Sequence, residues 1–205
     1  FPPPPPPRPL ADDFEDQTPG ERPSGSSLVV NEDADAGRGN VRVTTETAAS
    51  GRQSVKVTDA PGQKAAYNPH LYYRAKLSGG TVVGRFALRW EAGTTLSHEW
   101  RDAASPYAAG PSLSVDRDGG LRANGRETLR LPPGQWVRVE ITCPLGDRAK
   151  GAYDLAIRLP DGETRAFRGV PCGDAFRELR WFGFVAEGHN AGMFYLDDVA
   201  VTPLP

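Results

Sequence analysis

Along most of the chain, hydrophobic and polar residues alternate with a period of two. Val41-Arg42-Val43-Thr44 and Ser54-Val55-Lys56-Val57 alternate on either side of a turn at Gly51. Leu71 to Leu77 follows, and then Thr81 to Glu91, where Phe86, Leu88 and Trp90 share one side while Arg85, Ala87 and Arg89 share the other. That period puts successive side chains on opposite faces of an extended strand. Further strands are predicted at 113–116, 120–123, 136–142, 153–158, 165–167, 179–186 and 193–202. Asp118-Gly119-Gly120, Pro132-Pro133-Gly134 and Pro160-Asp161-Gly162 supply turn chemistry between them. No helical period is sustained; Asp174 to Leu179 allows one turn at most. Many short strands at this spacing predict an all-β antiparallel sandwich or barrel.

Composition narrows the function classes. The chain has 205 residues, enough for one large β domain, with 23 Gly and 20 Pro for its turns. Residues 1–10 are mostly proline, which offers no N–H to a sheet, so they are expected to form an extended tether ahead of a single domain at 11–205. A net charge of −2 without a basic block argues against nucleic acid as a partner. No apolar run is long enough for a membrane helix. The single Met, at 193, fits a mature form or an excised module of a larger protein, expected to be monomeric. Cys143 and Cys172 suit either one disulfide, with an oxidising compartment, or two unrelated thiols. Three scattered histidines do not make a zinc site.

Asp13-Phe14-Glu15-Asp16, followed by Pro19-Gly20 and Pro23-Ser24-Gly25, resembles the opening of jelly-roll carbohydrate-binding modules and LamG-like domains. Phe194-Tyr195-Leu196-Asp197-Asp198-Val199 resembles their last strand, and Gly134-Gln135-Trp136-Val137-Arg138-Val139 resembles an interior one. The resemblance implies a two-sheet sandwich of jelly-roll or concanavalin-like type with little or no helix, its first and last strands side by side. It also implies a structural calcium near those ends; Asp13 and Glu15, on one side of a strand, and Asp197, from its neighbour, are the expected ligands, the alternative being acids that are solvated or paired with arginines. Calcium takes six to eight oxygens, and two acid-bearing strands would repel without a cation or arginine between them.

Strand alternation also suggests a binding face. Tyr72 and Arg74 share a side of their strand, as do Arg85 and Arg89, and Glu99 and Arg101. If the three strands are neighbours, these six residues merge into one surface. Arginine forks fit carboxylates or sulfates, and an aromatic ring offers a platform for a sugar, so an acidic polysaccharide is the expected ligand. The alternative is an ordinary solvated sheet face. Trp90, Trp136 and Trp181 are expected in or near the core; Trp100 is expected there too, or with Tyr107 in a loop-borne sugar site. His189-Asn190 reads as a hairpin loop. No pair of acids at i and i+2 or i+4 in an aromatic strand indicates a glycosidase. The signatures Gln-x-His and Tyr-x-Lys-x-Gly of comparable polysaccharide lyases are missing. The leading expectation is a non-catalytic carbohydrate-binding or accessory module of a secreted bacterial protein, exported to the periplasm, cell surface or medium. The alternatives are a polysaccharide lyase or hydrolase, and a structural or adhesion sandwich.

Overall fold

The computed structural model describes residues 9–188 and 190–204. Most of the proline-rich segment and His189 therefore lie outside the described residues. Fifteen strands occur in the described chain. They are β1 (Leu10–Asp12), β2 (Leu28–Asn31), β3 (Asn40–Thr44), β4 (Ser54–Asp59), β5 (His70–Leu77), β6 (Gly80–Trp90), β7 (Leu96–Arg101) and β8 (Ala109–Val115). Then come β9 (Gly120–Ala123), β10 (Arg126–Arg130), β11 (Trp136–Leu145), β12 (Ala152–Arg158), β13 (Thr164–Pro171), β14 (Leu179–Ala186) and β15 (Gly192–Leu204). The only helical pieces among the described residues are 3-10 turns at Ala36–Arg38 and Gly146–Arg148.

Two antiparallel sheets form the expected sandwich. The eight-stranded sheet runs β13-β12-β11-β6-β15-β4-β3, with β1 pairing alongside β15. The seven-stranded sheet runs β10-β9-β8-β7-β14-β5-β2. Alternation decides which side chains meet between them. From the first sheet Phe86, Leu88, Val139 and Phe194 point inward; from the second, Leu71, Tyr73, Trp100, Phe182 and Phe184. Their rings interlock edge-to-face, with Phe86 4.9 Å from Phe184 and Phe182 5.6 Å from both Phe184 and Trp100. Such contacts add to the area term that drives burial. Trp100 is fully buried in the core, with none of the alternative loop-borne exposure.

The first and last strands do lie together, Asp12 opposite Val199 and Leu10 opposite Val201. The opening strand is shorter than its acidic run suggested. It stops at Asp12, and Phe14 turns into the core with φ of 61°. Across from it, β15 bulges between Asp197 and Ala200, with Asp198 at φ 48°.

Candidate functional site

The outer face of the seven-stranded sheet gathers four of the six expected binding residues. In its middle, β14 lies between β5 and β7. Register places Trp181 between Arg74 and Arg101, and Gly183 between Tyr72 and Glu99. The side chains of Tyr72, Arg74, Glu99, Arg101 and Trp181 point outward, because Leu71, Tyr73, Phe182, Phe184, His98 and Trp100 occupy the alternate, inward positions.

Trp181 is the centre of this face. A Cβ built on Gly183 would lie 2.2–2.5 Å from three atoms of its six-membered ring, so the indole rests flat on the glycine backbone. Tyr72 stacks beside it, with centroids 5.3 Å apart and planes 26° apart. From the other flank the Arg101 guanidinium stands 3.9 Å from the indole centroid and 4.4 Å from that of Tyr107. Arg101 Nε donates to Glu99 Oε2 at 2.7 Å, which fixes the guanidinium. The row of flat groups extends past Tyr72 to His70, stacked at 6.2 Å, and then to Tyr67 at 5.9 Å. Tyr67 and Tyr107, at the two ends, are 60% and 49% exposed.

Hydrogen bonds set the state of His70. Its Nδ1 faces two acceptors, Tyr67 O at 3.0 Å and Asn68 Oδ1 at 3.1 Å, so this nitrogen carries the proton. Nε2 then accepts from Asn31 Nδ2 at 2.9 Å. Burial lowers the imidazole pKa below its ordinary value.

Arg74 and Lys76 differ from the other cations of this face. Both are exposed, and neither side chain has a hydrogen bond or ion pair among the described residues. They border a cleft of about 1140 Å³ between β1 and β5, lined also by Ser24, Ser26 and Asp12. Within it the buried Tyr73 hydroxyl donates to Asp12 Oδ2 at 3.1 Å.

Arg85 and Arg89 do not join this surface. The expectation assumed that β5, β6 and β7 are neighbours, whereas β6 lies in the middle of the other sheet and shows its polar side on the opposite outside of the sandwich. Both arginines are also engaged. Arg85 pairs with Glu140 at 2.7 Å. Arg89 pairs with Glu91 at 2.7 Å, donates to Thr47 Oγ1 at 3.1 Å and lies over the Tyr195 ring.

The acids expected to hold calcium are placed as follows. Asp13 is exposed and accepts from Glu15 N. Glu15 Oε1 accepts from the N–H groups of Arg52 and Gln53, at 2.8 and 2.7 Å, and these bonds lower its pKa. Asp197 is wholly buried. Its Oδ2 accepts from Ala49 N and Ser50 N, its Oδ1 from Asp198 N, while burial pushes its pKa up. The turn at Phe14 removes Asp13 and Glu15 from a common strand face. Among the described residues no group of three His, Cys, Asp or Glu is placed to hold a metal ion. One or both oxygens of each of the three acids accept from backbone N–H groups, and Arg138 supplies a cation to Asp198 at 2.8 Å.

Trp181 itself was expected in or near the core. The signal for its true position is the glycine two residues later on the same face, since a glycine inside a strand marks the close approach of another group.

No protein-family model matches this sequence, and no curated protein matches it. Solved structures share the fold. The cellulose-induced protein Cip1 aligns with a TM-score of 0.62 at 15% identity, over 94% of this chain and 96% of its own. An endo-β-1,4-glucuronan lyase from the fungus Trichoderma reesei gives 0.62 at 13% identity, over 91% and 96%. Peanut lectin gives 0.56 at 11% identity, over 97% and 98%. The chain is a jelly-roll sandwich of the concanavalin-like kind. Among the described residues no helix is long and apolar enough to cross a membrane.

Proposed function

We propose that the outer face of the seven-stranded sheet binds a polysaccharide chain laid across β5, β14 and β7, without cleaving it. The observation that carries this reading is Trp181, held flat on Gly183 and flanked by Tyr72 and Arg101. A solvated sheet face gains nothing from leaving an indole half-exposed, and its stacking partners fix it before any ligand arrives. Preorganised rings lower the entropic cost of binding. Arg74 and Lys76, exposed on β5 and without a partner among the described residues, suit a carboxylate or sulfate on the same chain. Such a role fits an exported module of a larger protein. The fold likeness to a glucuronan lyase and a lectin supports a glycan as the ligand class.

Electrophoresis in gels cast with glucuronan, alginate or a soluble cellulose tests the reading. The parent chain is expected to be retarded by at least one of them, and Trp181→Ala to run free. A parent unretarded in every gel, or a Trp181→Ala variant as retarded as the parent, overturns it.

A second reading is β-elimination by a uronate lyase. It is favoured by His70, a base type, in one row with Tyr72 and on the same side of β5 as the exposed Arg74. Proton abstraction beside a carboxylate needs a base and a neutralising cation. An ultraviolet absorbance rise on glucuronan or alginate, abolished in His70→Ala, would establish it.

A further inference from the structure

One cation of the outer face, Arg101, is held on every side but one. Its guanidinium carbon stands 3.9 Å from the Trp181 ring centroid and 4.4 Å from that of Tyr107. At such distances it lies above each ring face, because an approach in the ring plane is stopped farther out by the ring edge. The opposite face of the indole rests on Gly183. Trp181 is thus a pedestal, with glycine backbone below and a guanidinium above.

The second wall is fixed as well. Tyr107 stands on the loop between β7 and β8, which Asp102 ties at its base. Asp102 N donates to Ala108 O at 3.1 Å, and Asp102 Oδ1 accepts from Ala104 N and Ala108 N at 3.1 and 2.7 Å. Glu99 holds Nε at 2.7 Å. Among the described residues neither Nη1 nor Nη2 of Arg101 has a hydrogen-bond acceptor. The side chain is 24% exposed, so the edge carrying those two nitrogens is open to a ligand. A guanidinium clamped on both faces and at Nε needs little further ordering on binding.

We propose that Arg101 is the specificity-determining residue of this face, its Nη edge taking the carboxylate of a uronate residue in a two-point contact. The proposal rests on the reading of the face as a polysaccharide site. A carboxylate is planar and continues the guanidinium plane between the Trp181 and Tyr107 rings. A sulfate is tetrahedral and turns oxygens toward those rings, and an ester brings no charge. Exposed Arg74 and Lys76 attract any polyanion, whereas Arg101 selects among them.

The test is electrophoresis of the full chain in gels cast with glucuronan or alginate, with the methyl ester of each, and with cellulose sulfate. The parent is expected to be retarded about tenfold more strongly by a uronate polymer than by its ester or by the sulfate. Arg101→Lys keeps the charge and loses the fork, so it should lose that preference while the salt dependence of retention remains. Tyr107→Ala removes one wall at a position 49% exposed, and should erode the preference for carboxylate over sulfate with Tm unchanged. A parent retarded by no polymer overturns the binding reading and this inference with it. Equal retardation by uronate and ester, or an Arg101→Lys variant with the parent's preference, overturns this inference alone. Where Arg101→Lys also lowers Tm, Tyr107→Ala decides: an unaltered preference there overturns the assignment.

Discussion

The indole of Trp181 lies directly on the backbone of Gly183, and each residue requires the other. A Cβ at Gly183 would occupy the space of the ring, 2.2 Å from its nearest atom. Below the sheet the same glycine carbonyl accepts from His98 Nδ1 at 2.8 Å, so the platform is anchored on its inner side as well. Gly183→Ala should therefore weaken glycan retention as Trp181→Ala does, by tenfold or more, or about 1.4 kcal/mol and upward. Tryptophan emission should shift to the red as the indole lifts. Retention unchanged in Gly183→Ala would mean that the flat placement is not what the ligand uses.

Arg74 and Lys76 have no partner among the described residues, whereas Arg85 and Arg89 are paired on the far side of the sandwich. Replacing Arg74 and Lys76 with alanine should lower retention in anionic gels and flatten its salt dependence, and leave retention on a neutral glycan unaltered. Replacing Arg85 and Arg89 should change retention in neither gel. Arg89→Ala should still lower stability, by about 1 kcal/mol, because Glu91 loses its donor and Thr47 Oγ1 keeps only that of Trp136 Nε1. The reverse pattern would move the binding face to the eight-stranded sheet.

The two-sheet architecture, the inward set on β6 and the pairing of chain ends were legible because alternation specifies burial residue by residue. Which sheet a strand joins was not legible. Consecutive β5, β6 and β7 alternate between sheets, and nothing in the polarity of Arg85 or Arg89 reports that crossover. Trp181 was hidden for another reason. Its run, Trp181-Phe182-Gly183-Phe184-Val185-Ala186, is apolar on both faces, so periodicity alone could not separate a core ring from a surface ring. At the acidic ends the local geometry was not legible: a left-handed Phe14 and a bulge after Asp197 redirect carboxylates that a regular strand would have aligned.

Asp197 is a fully buried carboxylate with three backbone N–H donors, two of them from the β3–β4 loop at Ala49 and Ser50. Asp197→Ala strands those donors and should cost about 3 kcal/mol, measured by urea denaturation. Asp197→Asn keeps one acceptor oxygen and should cost less. Because these oxygens serve backbone N–H groups, a calcium chelator should leave Tm unchanged. A Tm that falls on chelation and recovers with added calcium would show that the strand ends do hold the ion.

His98 sets the acid limb of stability. It is buried among Phe86, Phe182 and Phe184, donates to Gly183 O and accepts from Trp100 Nε1 at 3.1 Å. Burial lowers its pKa from 6.5 to about 3. Between those values the unfolded chain binds a proton that the folded chain refuses, so stability falls as pH falls, by on the order of 1.4 kcal/mol per pH unit. Asp12 and Asp197 act in the opposite sense. Burial holds both above their ordinary values, so they favour the folded state as pH drops into the carboxylate range. The diagnostic quantity is therefore the difference between the parent and His98→Gln, which keeps a donor and an acceptor but does not titrate. Urea midpoints taken stepwise from pH 7 to pH 4 should decline more steeply in the parent than in the variant. Parallel declines would assign the acid limb to the carboxylates instead.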